Sequence, residues 1–179
     1  YGHGGGMYNY EDSSPTMTEC IFENNMADFG GGMFNYNTSP TFANCIFTGN
    51  TANEKGGGMF NQVSSPMLAN CTFTGNTAYY GGGMYNNSSS PTLENCTVTG
   101  NTAYYGGGMF IANSSHPTLR DTIVCSNTPD QIDGDWTDNG GNTVADVCPV
   151  CPDINGDGYV NVSDLLTIID HWGLTNSPA

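Results

Sequence analysis

The chain has 179 residues and a formal net charge of −15, with 17 Asp and Glu set against two basic side chains, Lys55 and Arg120. Two cations cannot neutralise a row of phosphates, so nucleic-acid binding is excluded, and an anionic membrane surface repels such a chain. No apolar run approaches 18 residues, so no transmembrane helix and no membrane insertion is expected.

The tripeptide Gly-Gly-Gly followed by Met occurs five times, at Met7, Met33, Met59, Met84 and Met109, spaced 26, 26, 25 and 25 residues apart. A fixed period of this length marks a solenoid, in which each repeat buries its apolar face by stacking on its neighbours. The first repeat opens at Tyr1 in mid-sentence. The expectation is that processing or truncation removed something upstream, or that another chain covers this coil.

Within each repeat the apolar runs are two to four residues long and are separated by turn residues. They are too short for helices and suit short strands. Three such runs in about 25 residues predict one turn of a three-strand parallel β-helix, with coils ~4.8 Å apart. The expected fold is therefore all-β: a parallel β-helix of about five to six coils, followed by a short calcium loop and helix. The repeats occupy 1–128, an irregular capping coil 129–147, and a calcium-binding tail 148–179.

Aligned on Pro15, Pro40, Pro66, Pro91 and Pro117, the repeats place identical residues in rows. One row is Cys20, Cys45, Cys71 and Cys96, ending in Thr122. Another is Phe22, Phe47, Phe73, Val98 and Val124. A third is Asn25, Asn50, Asn76, Asn101 and Asn127, and a fourth is Asn9, Asn35, Asn61 and Asn86, broken by Ile111. Asn suits such ladders because it tolerates left-handed backbone and its amide bonds the amides above and below. Leu93, Cys96 and Val98, with their equivalents, are expected inside. Leu93 and Cys96 are three apart, which breaks alternation, and a turn at Glu94–Asn95 restores it.

The Met strand has two orientations, and Met inward is the favoured one. Tyr8, Phe34, Phe60, Tyr85 and Phe110 then form an outward aromatic stripe. Either it is a surface for sugar rings or a neighbouring chain, or it is itself core or covered by the Tyr79–Tyr80 and Tyr104–Tyr105 turns.

The GGGM motif and the F-x-x-N segments Phe22–Asn25, Phe47–Asn50 and Phe73–Asn76 resemble the GGA[I/L/V] and FxxN repeats of polymorphic outer-membrane proteins and related bacterial right-handed β-helix adhesins. Val98–Asn101 and Val124–Asn127 depart by Val for Phe. The resemblance covers about residues 1–128 and implies a right-handed solenoid.

From Pro129 to Val147 the period is lost. This segment reads as a cap, with Trp136 over the open core. Asp130, Asp133, Asp135 and Asp138 read as a solvated acidic loop rather than a cation site.

Residues 153–164 carry a calcium-loop pattern: Asp153, Asn155 and Asp157 at positions 1, 3 and 5, Gly158 at the sharp turn, the Tyr159 carbonyl at 7, Asn161 at 9 and Asp164 at 12. A helix is expected from about Ser163, with Leu165, Leu166, Ile168, Ile169 and Trp172 on one face and Gly173 as its stop. Calcium is the one cofactor expected. Asp at position 12 and the lack of a helix before the loop resemble a single segment of a type I dockerin, which implies a cohesin-like partner. The combination of GGGM repeats with this tail resembles secreted proteins of planctomycete-type bacteria.

The four ladder cysteines are expected to be free thiols that fill the core. Of Cys125, Cys148 and Cys151, two are expected to pair, Cys125 with Cys148 or Cys151. Catalysis lacks residues: Lys55 and Arg120 fall at different repeat positions, the carboxylates are scattered, and His3, His116 and His171 stand apart. The reading is a secreted, non-catalytic cell-surface solenoid that self-associates head to tail into a filament. The rival is a glycan-binding or adhesion module that uses the aromatic stripe, and behind it a polysaccharide lyase or hydrolase.

Overall fold

Three parallel sheets of six strands each run the length of the solenoid, in a computed structural model that describes residues 2–148. The Met sheet holds Met7–Tyr10, Met33–Tyr36, Met59–Gln62, Met84–Asn87, Met109–Ala112 and Ile132–Asp133. The Leu sheet holds Thr16–Thr18, Thr41–Ala43, Met67–Ala69, Thr92–Glu94, Thr118–Arg120 and Thr137–Asp138. The Phe sheet holds Ile21–Glu23, Ile46–Thr48, Thr72–Thr74, Thr97–Thr99, Ile123–Cys125 and Thr143–Ala145. A fourth, two-stranded sheet of Met26–Phe29 and Thr51–Lys55 edges the loops that lead into GGGM.

Pairing is in register throughout the regular coils, so Met stacks on Met and Phe on Phe. The lumen is dry. Met33, Met59, Met84, Met109, Phe42, Phe47, Phe73, Leu93 and Val98 are wholly buried. Each such side chain contributes roughly 1.5–3 kcal/mol. The turn expected at Glu94–Asn95 is present: Asn95 has φ +52, and Asn44 and Asn70 repeat it at +55. One left-handed residue flips the phase, so that Leu93 and Cys96 both point inward.

The asparagine rows divide the two tasks expected of them. The left-handed, exposed Asn44, Asn70 and Asn95 take the turns. A different row carries the amide ladder inside: Asn50, Asn76 and Asn101 are wholly buried, and each Nδ2 donates to the Oδ1 of the next coil at 2.9 Å. Gln131 ends this ladder, accepting from Asn127 through Oε1. In the Met sheet, Asn9, Asn35, Asn61 and Asn86 form a second ladder. It stops at Ile111, and the buried Asn86 Nδ2 is left without a partner. A serine ladder was not foreseen: the backbone N–H groups of Thr38, Ser64 and Ser89 donate to the hydroxyls of Ser64, Ser89 and Ser115.

The cysteine row lies inside as free thiols, with Cys45, Cys71 and Cys96 buried and Cys20 half-buried. Burial pushes the Cys45 thiol up, and the adjoining Cys96 thiol together with burial does the same to Cys71. Residues 129–147 are irregular but continue the solenoid: their three short strands pair with all three sheets. Trp136, with Ile132 and Ile111, packs against the end of the core. Cys125 forms a disulfide with Cys148. The calcium ligands Asp153, Asn155, Asp157, Tyr159, Asn161 and Asp164, the helix after them and Cys151 lie outside the described residues.

Candidate functional site, the aromatic groove on the Met sheet

Outward from the Met sheet stand two columns. Tyr8, Phe34, Phe60, Tyr85 and Phe110 form the inner one, and Tyr10, Tyr36, Gln62, Asn87 and Ala112 the outer one. The inner column is the aromatic stripe expected from the sequence, and its outward direction is as expected. Of the two readings of its exposure, the covered one holds for its middle: Phe34 and Phe60 are 3% exposed and Tyr85 is 7% exposed, with Tyr80 packed against Tyr85 and Phe110. These three cannot meet a ligand with their faces. Tyr8 remains exposed and Phe110 half-buried.

The cover is a third column, the residue just before each Gly-Gly-Gly: His3, Phe29, Lys55, Tyr80 and Tyr105. Parallel bridges join His3 to Phe29, Lys55 to Tyr80 and Tyr80 to Tyr105, and Phe29 pairs with Lys55. Each first glycine has a positive φ, as at Gly30 (+64) and Gly56 (+67), and turns the chain sharply enough to fold this residue back over the stripe. The rings interlock. His3 stacks on Phe29 at 5.3 Å and Phe34 at 5.2 Å, and Tyr80 meets Phe110 edge-on at 5.2 Å. His3, expected to stand apart, is thus part of a ring cluster. Burial, with Tyr80 beside it, holds the Tyr85 phenol above its ordinary value.

The column changes character at Lys55. Four of its members are rings, and the fifth is the only lysine in the chain. The segment between Asn50 and Gly56, which carries Lys55, is one residue longer than its counterparts in the neighbouring coils, and the register with Met26–Phe29 shifts there. The ammonium reaches over two rings, 5.8 Å from the centroid of Phe29 and 5.4 Å from that of Tyr85, within cation–π range. A groove opens at this point, lined by His3, Phe29, Phe34, Lys55, Phe60, Gln62 and Asn87. Its volume is about 220 Å³. That is below the ~300–1,000 Å³ of pockets for whole small molecules and suits one ring of a longer ligand.

The second cation is elsewhere. Arg120 ends a strand of the Leu sheet, where Glu94 lies 3.5 Å away and Asp121 3.3 Å away. Lys55 ends the strand Thr51–Lys55 and Arg120 the strand Thr118–Arg120, so the two basic residues stand in different sheets. Among the described residues, no cluster of three or more His, Cys, Asp or Glu side chains could hold a metal ion. Phe29, Gln62 and Asn87 were missed in the sequence. The available signal for Phe29 was the position before Gly-Gly-Gly, and for Gln62 and Asn87 the third position after the repeat methionine; both are constant in place but not in residue type.

The family model described as "Right handed beta helix region" matches residues 1–146. The chain belongs to the right-handed β-helix family. Neither a curated protein nor a solved structure matches it.

Proposed function

We propose that this β-helix is a secreted, non-catalytic surface module that holds extracellular glycan along the Met-sheet face. The observation that carries the reading is the groove at Lys55, flanked along the solenoid by exposed rings. Tyr8 and Tyr10 lie at its first coil, and Tyr104 and Tyr105 at its fifth. Four coil steps separate these ends, roughly 19 Å, a span suited to several sugar units in a row. Tyrosine offers an apolar face and a hydroxyl together, which fits the alternating apolar and polar surfaces of a sugar. The Cys125–Cys148 disulfide supports an oxidising, extracellular setting. The adhesin-like GGGM and FxxN repeats support a surface role. The separation of Lys55 from the paired Arg120 argues against a lyase.

The test is retention on immobilised polysaccharides. We expect binding to at least one extracellular glycan, and a loss of about tenfold or more in the Tyr8→Ala/Tyr104→Ala double variant. Both residues are exposed, so the fold survives their loss. Binding unchanged by the double variant would remove the aromatic face from the reading.

The tail is proposed to take one Ca²⁺ through Asp153, Asn155, Asp157, the Tyr159 carbonyl, Asn161 and Asp164, a set of hard oxygen donors at loop spacing. Calorimetric titration is expected to show one site per chain, abolished by Asp153→Ala with Asp157→Ala. Calcium uptake by that double variant would assign the metal to other residues.

A further inference from the structure

Lys55 is an anomaly of charge. The chain carries −15, yet its only lysine is half-buried and forms no ion pair among the described residues, whereas exposed Arg120 has two carboxylates beside it. Among the described residues, no carboxylate lines the groove around Lys55. Its walls are rings, and its polar groups are an imidazole and two side-chain amides, from Gln62 and Asn87. The ammonium is held over ring faces and, among the described residues, has no carboxylate within salt-bridge distance, so it is available to an anion from outside the chain.

We propose that the groove selects a carboxylated sugar residue spaced among neutral ones in an extracellular glycan. The inference rests on the glycan reading above and names its chemistry. Lys55 Nζ donates to the sugar carboxylate, a charge-assisted hydrogen bond about twice as strong as a neutral one. The exposed parts of Phe29 and His3 pack against the ring, and the Gln62 and Asn87 amides meet hydroxyls. Sparse charge follows from the same numbers. One cation neutralises one carboxylate. A glycan charged on every residue meets an otherwise acidic surface and is repelled beyond the groove. Polysulfated chains need rows of cations, and this protein has two cations in total, on different sheets.

Calorimetry or thermophoresis with size-matched oligosaccharides tests this on the full chain. The probes are an alternating glucuronate/N-acetylhexosamine oligosaccharide, the same oligosaccharide with its carboxyls reduced to alcohols, and an oligogalacturonate charged on every unit. We expect the alternating probe to bind about tenfold tighter than its reduced form. Lys55→Gln is expected to erase that difference without changing affinity for the reduced form, and Lys55→Arg to keep most of it. Thermal unfolding of both variants checks that the groove is intact. Equal affinity for the native and reduced probes overturns the inference while leaving the glycan reading standing. So does tightest binding of the oligogalacturonate. No binding of any sugar overturns both.

Discussion

Replacing Asn76 by alanine is expected to destabilise the solenoid by on the order of 3–5 kcal/mol, a large share of the ~5–15 kcal/mol that holds a typical domain together. The side chain makes four buried hydrogen bonds. Its Oδ1 accepts from the Asn50 backbone N–H at 3.0 Å and from Asn50 Nδ2 at 2.9 Å, and its Nδ2 donates to Phe47 O and to Asn101 Oδ1, both at 2.9 Å. Truncation strips the acceptor from the Asn50 main chain at a wholly buried position. An orphaned buried donor costs about 1–3 kcal/mol, far more than the net gain of the bond when formed. The control is Asn70→Gly. Asn70 also stands in an asparagine row, but it is exposed and left-handed at φ +55, where glycine is at ease. That variant is expected to unfold within about 1 kcal/mol of the parent in a denaturant titration. Equal losses at both positions would show that the inner ladder carries no special weight.

Gly57→Ala is expected to be more damaging still, with loss of at least about 4 kcal/mol or failure to fold. A methyl group at Gly57 would lie 2.5 Å from the Gly82 carbonyl oxygen and 2.5 Å from that of Thr77. Both are backbone atoms of the next coil, and neither yields without opening the sheet. Gly57 itself donates to Gly81 O across the same seam. Gly75→Ala separates this clash from mere conformational cost. Gly75 has φ +63, but its nearest neighbour is Gly49 N at 3.9 Å. It should lose only the ~1–2 kcal/mol of a left-handed alanine. Thermal unfolding of the two variants decides the matter, and a Gly57→Ala protein as stable as Gly75→Ala would sink the steric account.

The Gly-Gly-Gly motif is intact in all five repeats, and each of its positions has a steric reason. At Gly56 the φ is +67, at Gly57 a Cβ meets two carbonyls of the next coil, and at Gly58 it meets the Gly83 carbonyl and the Phe73 ring. The first glycine is needed for its backbone angle and for space, since a Cβ at Gly56 would lie 2.4 Å from the Met59 carbonyl oxygen, and the other two are needed for space. The same tight corner throws Phe29, Lys55 and Tyr80 over the aromatic stripe, so the motif that stacks the coils also builds the groove.

Much of the architecture was legible because in-register stacking turns a sequence period into a spatial ladder. The 25–26-residue spacing of Met33, Met59, Met84 and Met109 fixes the coil, and the three-residue step from Leu93 to Cys96 demands the left-handed turn found at Asn95. The inward thiol row followed from the same alignment, which left Cys125 outside it; Cys125 pairs with Cys148, one of the two partners the sequence left open. The groove was not legible. Its covering column reads His3, Phe29, Lys55, Tyr80 and Tyr105, and a row of unlike residues leaves no ladder to see. Whether Phe34 and Phe60 are surface or interior depends on where that loop folds. The decision belongs to glycine backbone angles and ring contacts between coils, which are tertiary quantities. The sequence alone determined which residues stack, because period is a one-dimensional property. Only the tertiary structure decided which of the stacked residues are left for a ligand, because exposure is set by what packs on top.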